Sequence, residues 1–371
     1  MRIYFLANAR MPTEKAHGIQ IAKMCEAFIE SGVDLVLIVP ARGTSQEGLQ
    51  EYYGLRTPVP VVRLWVPDLY RAGAFGYLVS SYFFMARCTL YLLRRRSGSM
   101  LYSVDIDNFS FRVMRFLRMP YACEMHYPKK ASPANKRFFA GARAIVATND
   151  LIAEDIKKTF APGKIIVEPN GVDPRHRPLT QEEARAALKL GAGKTALYVG
   201  RFYSWKGLEV LAPASRLLAA KGIKTLVLGG SKDEFERVFR DSGVLQFAEA
   251  KPAEVGDWMY AADVLLLIGT AKNQNSNRYT APMKVFEYLS TGRPIVASGT
   301  EALKSLLPSG AVAFCPPDDP EALAQRIEEV LAGPETGQAA QKRISLALSH
   351  GWDRRAGRIL AFIGSVDTLN S

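Results

Sequence analysis

The sequence predicts two α/β domains, each a parallel sheet with crossover helices in the Rossmann-like manner. Three observations carry this. Short apolar runs alternate with amphipathic segments from end to end, as parallel strands and crossover helices do. The length, 371 residues, is too great for one ordinary core and suits two domains. The alternation breaks at Pro169-Asn170-Gly171-Val172-Asp173-Pro174, followed by Arg175-His176-Arg177-Pro178, where prolines and a turn glycine suit an interdomain link.

The elements follow in order. Arg2–Leu6 reads as a first strand and is too short for the apolar region of a signal peptide. A helix is predicted from about Gly18 to Ser31, because Ile21, Cys25 and Phe28, joined by Ala22 and Ile29, fall on one helical face. Gly32 stops it, and Val33–Val39 is the next buried strand. Further strands in the first half are Val59–Leu64, Met100–Val104, Tyr121–Met125, Ala144–Ala147 and Lys164–Val167. A second series comprises Thr195–Val199, Lys224–Leu228, Val264–Ile268, Pro294–Ala297 and Ala311–Phe314. In open sheets of this kind ligands sit at the carboxyl ends of the strands. The run Ala72–Leu93 is strongly apolar and is closed by Arg94-Arg95-Arg96. A membrane span needs about 20 apolar residues with few charges. Arg87 and the pair Ser80-Ser81 interrupt this run, so it reads as a buried or partly surface-seeking helix.

Composition narrows the function classes. Hydrophobic residues make up 48% and charged residues 23%, a globular profile that excludes disordered and fibrous classes. A formal net charge of +12 attracts polyanions: nucleic acid, acidic membrane surfaces or phosphorylated small molecules. Basic residues are spread along the chain without zinc-finger spacing or an RRM signature, so no nucleic-acid partner is expected. Cys25, Cys88, Cys123 and Cys315 form no close pair, which argues against a disulfide framework or a zinc site and for a reducing compartment. The expected location is cytoplasmic, peripheral on the inner face of a membrane.

Two clusters bear chemistry. In Tyr198-Val199-Gly200-Arg201-Phe202-Tyr203-Ser204-Trp205-Lys206-Gly207 a buried strand ends at Gly200, Arg201 follows, and Lys206 opens the next helix. Two cations beside a helix N-terminus seat a diphosphate; the plain alternative is an exposed turn with two solvated cations. The second cluster runs from Tyr279 to Leu289 and ends at Thr291-Gly292. Thr280 is expected to cap its helix and Pro282 to occupy the first turn. Glu287, expected on the second turn, suits both hydroxyls of a ribose; its plain alternative is a partner for Lys284.

In this order and spacing the two clusters resemble the retaining GT-B glycosyltransferases of family four, the group 1 glycosyl transferases. Gly200-Arg201 and Lys206-Gly207 are similar to their phosphate-binding strand–turn. The run Pro282-Met283-Lys284-Val285-Phe286-Glu287-Tyr288, continuing through Gly292-Arg293-Pro294-Ile295-Val296-Ala297-Ser298, resembles their donor-binding helix and following strand. Asn170-Gly171-Val172-Asp173 is similar to their interdomain turn, and Trp352-Asp353-Arg354-Arg355-Ala356 to their closing helix. The resemblance implies two facing Rossmann-like domains with a cleft: an acceptor domain at 1–168, a donor domain at 169–351, and a helix at 352–371 crossing back to the first domain.

By the same resemblance Arg201 and Lys206 hold the diphosphate and Glu287 the ribose. Pro282, Met283 and Lys284 bring backbone amides toward sugar and phosphates. Gly18, after His17, lets N–H groups approach the donor phosphate. His126, at the end of the strand Tyr121–Met125, lies near the reacting carbon, with Glu124 to orient it. His126, Arg201 and Lys206 are the expected catalytic groups. Many relatives carry a glutamate where this chain has Tyr279, which leaves the donor sugar open. Asp105-Ile106-Asp107 invites a metal reading, but the two cations already neutralise the leaving phosphate, so neither metal nor other cofactor is expected beyond the nucleotide-sugar co-substrate. His176 and His350 read as exposed loop residues. The expected activity is metal-independent sugar transfer, with retention, to a glycan or lipid-linked acceptor, with an acidic membrane surface as a further partner. An epimerase or phosphorylase on the same fold, a non-catalytic nucleotide-sugar-binding protein and a general polyanion binder remain alternatives.

Overall fold

Seven short strands, β1 (Arg2–Leu6), β2 (Asp34–Ala41), β3 (Val61–Trp65), β4 (Ser99–Val104), β5 (Tyr121–Met125), β6 (Ala144–Ala147) and β7 (Ile165–Val167), form one sheet in the order β3-β2-β1-β4-β5-β6-β7. Every neighbouring pair is parallel. The computed structural model describes residues 2–42, 48–67, 69, 73–104, 117–173, 179–239, 243–250, 254–334 and 336–368. The chain divides into two units, Met1–Asn170 with Trp352–Ser371, and Gly171–Gly351.

In the first unit the crossovers are α1 (Ala16–Glu30), α2 (Leu49–Tyr53), α3 (Gly73–Leu93), α4 (Pro133–Gly141) and α5 (Asp150–Phe160). Helix α1 buries Ile21, Ala22, Cys25 and Phe28 as the spacing predicts, and Gly32 ends it at φ +83°. Helix α5 starts on Asn149, whose side chain accepts from the Ile152 amide at 2.8 Å. Asp150 in its first turn and Lys157 and Lys158 in its last complement the helix dipole. Strand β3 begins later than predicted because Pro60 lacks an N–H; its carbonyl still accepts from Leu37 at 2.9 Å.

The second unit holds β8 (Thr195–Val199), β9 (Lys224–Leu228), β10 (Gln246–Ala248), β11 (Val264–Leu267), β12 (Ile295–Ser298) and β13 (Ala313–Cys315), all parallel, in the order β10-β9-β8-β11-β12-β13. Its helices are α6 (Gln181–Ala187), α7 (Leu211–Ala219), α8 (Lys232–Val238), α9 (Val255–Ala261), α10 (Lys284–Ser290), α11 (Glu301–Leu306), α12 (Pro320–Ala332) and α13 (Gly337–Ser349). Capping boxes, Thr180 with Glu183 and Ser231 with Glu234, open α6 and α8. Apolar clusters cover both faces of this sheet, one around Leu211, Val227 and Ile327 and the other around Leu265, Phe286 and Leu289. Both sheets reverse strand order once, between β1 and β4 and between β8 and β11. The crevice outside the carboxyl ends at such a switch point is where open α/β sheets bind ligands.

The last helix, α14 (Trp352–Thr368), belongs to the first unit and packs on α1. Trp352, Arg355, Ala356, Ile359 and Ile363 are its buried stripe. No helix among the described residues is long and apolar enough to cross a membrane.

Candidate functional site

The second unit's site begins where β8 runs out at the switch point. Gly200 continues the ladder by donating to Leu228 O at 2.8 Å. A Cβ on Gly200 would stand 2.9 Å from the Tyr198 hydroxyl and 3.2 Å from Lys206 Nζ, so this glycine lets the lysine fold back over the strand end. Gly207 has φ +73°, and a Cβ there would lie 2.6 Å from Thr270 Cβ; no larger residue closes this turn.

Lys206 Nζ donates to Tyr198 Oη at 3.2 Å and lies 5.8, 5.6 and 5.9 Å from the ring centres of Tyr198, Tyr203 and Trp205. The aromatic faces offer it weak cation–π support but no counter-charge. Among the described residues it has no acidic partner. Burial, and then the charge of Lys284, lower its pKa to about 8. Arg201 is exposed, and its guanidinium has no partner among the described residues.

Helix α10 carries the second cluster to the same place. Tyr288, wholly buried, accepts from the Val199 amide at 2.8 Å, which ties α10 to the end of β8. One turn before it, Lys284 Nζ pairs with Glu287 Oε2, both partly exposed. The structure therefore gathers Lys206, Lys284 and Glu287 beside the turn that carries Arg201. The helix begins at Lys284, with Met283 in the N-cap position and no side-chain cap, so Thr280 does not cap it and Glu287 lies in the first turn, not the second. A π-helical turn, Asn275–Tyr279, ends just before and leaves Thr280 extended at ψ 134°, too early to cap. Pro282 has no N–H, so Met283 and Lys284 are the amide donors of that run. Tyr279 is buried, and its hydroxyl accepts from Gln274 at 3.0 Å.

In the first unit, His126 follows β5 at its carboxyl end, half-buried, with Nε2 3.0 Å from Glu124 Oε1. Glu124 is fully buried and receives four further hydrogen bonds: Gln20 at 2.8 Å, Tyr102 at 2.8 Å, and Arg355 at 2.9 and 3.1 Å. Burial alone would raise its pKa, but the Arg355 charge and the His126 and Arg355 hydrogen bonds hold it at about 2. An ionised Glu124 can only accept, so His126 donates its Nε2–H to it. His17 lies close enough to feel His126: burial first, then Lys15, lower its pKa, Glu14 opposes, and His126 adds to the lowering. The Gly18 amide is committed to Lys15 O at 2.9 Å. A Cβ at Gly18 would strike the Tyr53 hydroxyl and come within 2.5 Å of Thr13 Cγ2, so packing alone requires glycine there.

Arg355 is the site residue that the sequence reading passed over. It donates to Pro169 O at 2.6 Å and Glu168 O at 3.0 Å as well as to Glu124. Its spacing from Trp352, Ile359 and Ile363 puts it on the apolar stripe, which was the available signal. His350, expected in an exposed loop, is half-buried and stacked on Phe286 at 4.3 Å, where α13 ends. Asp105, Ile106, Asp107 and His176 lie outside the described residues. Among the described residues no group of three or more His, Cys, Asp or Glu side chains is placed to hold a metal ion.

Residues 193–333 match the family described as "Glycosyl transferases group 1". No curated protein sequence matches the chain. Among solved structures, the chain is similar to sucrose-phosphate synthase from Thermosynechococcus elongatus, at 19% identity over 99% of each chain with a TM-score of 0.77. A glycosyltransferase from Rickettsia africae shares 12% identity over 98% of each chain, TM-score 0.72. HepE of Anabaena, solved with UDP and glucose, shares 16% over 98% of this chain and 100% of its own, TM-score 0.68. The family match lies over the strand and helix that gather Lys206, Lys284 and Glu287, so this segment is similar to the group 1 glycosyl transferases, and the chain as a whole has the GT-B fold.

Proposed function

We propose that the chain transfers a sugar from a nucleotide-sugar to a glycan or lipid-linked acceptor, with retention and without a metal ion. The observation that carries this is the Lys206 ammonium, partly buried at the end of β8, facing aromatic rings and a second cation, with no acid among the described residues to neutralise it. A cation held this way is stabilised by an incoming anion, and a diphosphate supplies one. HepE, of the same fold, is described with UDP and with UDP-glucose, so UDP-sugars are the first donors to test.

Transfer breaks the bond between the anomeric carbon and the diphosphate, leaving positive charge on the sugar and negative charge on the phosphate. Lys206 and Arg201 are set to meet that negative charge without reorganising, where such groups lower a barrier most. Glu287 takes the two ribose hydroxyls, which releases Lys284 to the phosphates, and the Met283 and Lys284 amides face the same anion. His126, its Nε2–H fixed by Glu124, is assigned to the sugar. The leaving phosphate accepts the acceptor's proton, so no side-chain nucleophile is needed.

A thermal-shift screen of UDP-, GDP- and ADP-sugars tests the reading: one nucleotide is expected to raise the melting temperature, and no response to any of them would remove it. Turnover of the responding donor should survive EDTA. Glu287→Gln should weaken binding of the free nucleotide about tenfold to a hundredfold, since a hydrogen bond to a charged group contributes about 1.5–3 kcal/mol. Unchanged affinity would take the ribose away from Glu287.

A further inference from the structure

A helix on a globular surface turns its large apolar side chains to the core and its polar ones to water. Helix α3 buries apolar side chains and exposes others as well. Its core side carries Gly76, Ser80, Ser81, Phe84, Cys88 and Leu92. Phe75, Leu78, Phe83, Leu90 and Leu93 are 72%, 42%, 47%, 65% and 43% exposed. At about 100° per residue these form a stripe opposite the buried one. The helix cannot roll to hide it: Asn8 Nδ2 donates to Ser81 Oγ at 3.0 Å, and the Ser80 hydroxyl donates to Pro67 O. Trp65, at the end of the strand α3 packs on, adds a 61% exposed aromatic ring.

Charge says what covers the stripe. From Gly73 to Val104 there is no Asp or Glu, whereas Arg87, Arg94, Arg95 and Arg96 are all exposed. At the carboxyl end of α3 a cavity of about 330 Å³ is lined by Arg2, Tyr4, Arg94, Arg95 and Ser97. Asp34 neutralises Arg2 at 2.6 Å, and Arg95 lies 4.1 Å over the Tyr91 ring. Arg94 and Arg95 therefore leave that cavity with surplus positive charge suited to a phosphate headgroup.

We infer that α3 is an in-plane anchor: its apolar stripe enters one leaflet of an anionic bilayer, and Arg87, Arg94, Arg95 and Arg96 meet the headgroup phosphates. Apolar burial and attraction to anionic lipid add for a helix lying in the interface. The amino end of α3 follows the carboxyl end of β3, so it lies on the carboxyl side of the sheet, as His126 does four strands along. A lipid-linked acceptor would then arrive at headgroup level on that side; this last step alone rests on the sugar-transfer reading, while docking does not.

The test is sedimentation of the full chain with vesicles of phosphatidylcholine, or of phosphatidylcholine with about a third phosphatidylglycerol. Binding to the anionic vesicles should be at least about tenfold tighter and should weaken with salt. Phe75→Ser with Leu90→Ser, and separately Arg94→Gln with Arg96→Gln, should each weaken it about tenfold or more at unchanged melting temperature, since all four side chains are exposed. No sedimentation with anionic vesicles, or binding indifferent to both double variants, overturns the anchor. So does a concentration-dependent dimer in light scattering that the Phe75/Leu90 variant abolishes while vesicles stay unbound. Donor-induced thermal shifts should persist in both variants, which separates failure of the anchor from failure of the sugar-transfer reading.

Discussion

Lys206→Met is expected to lower turnover of the nucleotide-sugar about a hundredfold to a thousandfold, the usual cost of removing one preorganised group that meets developing negative charge. Methionine preserves most of the stem that packs among Tyr198, Tyr203 and Trp205, so the loss should appear in kcat rather than in folding. The wild-type enzyme offers a second readout. With its pKa lowered to about 8, Lys206 sheds its proton as the pH rises past that point, and KM for the donor should climb there. Stability should move the other way. Between about 8 and the ordinary 10.5 the unfolded chain keeps this proton and the native chain does not, so native stability rises with pH across that window. In the methionine variant both slopes should vanish. Near-normal turnover would remove Lys206 from the phosphate.

Arg355→Met is expected to cost about 3–5 kcal/mol of stability, read as a lower urea midpoint for the first unit. The reason is that truncating one partner of a buried ion pair strands the other charge. Glu124 and Arg355 are both wholly buried, and the guanidinium also satisfies the carbonyls of Glu168 and Pro169. The pair carries a pH signature. Glu124 is held at about 2 against an ordinary 4.5, so its contribution is complete above 4.5 and is lost as pH falls toward 2. The variant should lack that acid-range slope. A loss below about 1 kcal/mol would show that the pair is not what fastens the last helix.

Much of this arrangement could be read from one sequence because the deciding forces are local. Buried parallel strands are short apolar runs, and β1, β5, β6, β8 and β9 lie where Arg2–Leu6, Tyr121–Met125, Ala144–Ala147, Thr195–Val199 and Lys224–Leu228 place them. Gln246–Ala248 escaped because three residues opening with glutamine give no apolar run, and it is pairing with β9 that makes them a strand. Arg201 and Lys206, the residues proposed to face the phosphates, stand out by charge at a strand end. The tyrosines and tryptophan around Lys206 were visible as letters, but their gathering about one ammonium is a tertiary fact. Thr280 misled for the same kind of reason: a threonine ahead of a proline looks like a cap until a π-helical turn shifts the start of the helix. Arg355 hid because an arginine doublet suggests a solvated face; its spacing from Trp352 and Ile359 marks it as inward while Arg354 points outward, but that Glu124 is its partner is a long-range fact.

The first unit is written in the sequence as two pieces, with all of Gly171–Gly351 between them. On the ribosome the second unit can therefore close its sheet while Glu124 still awaits Arg355, and the earlier-made unit is the later one finished. A nascent chain halted before Trp352 would leave Glu124 without its guanidinium partner, beneath a seam still open until that helix is made.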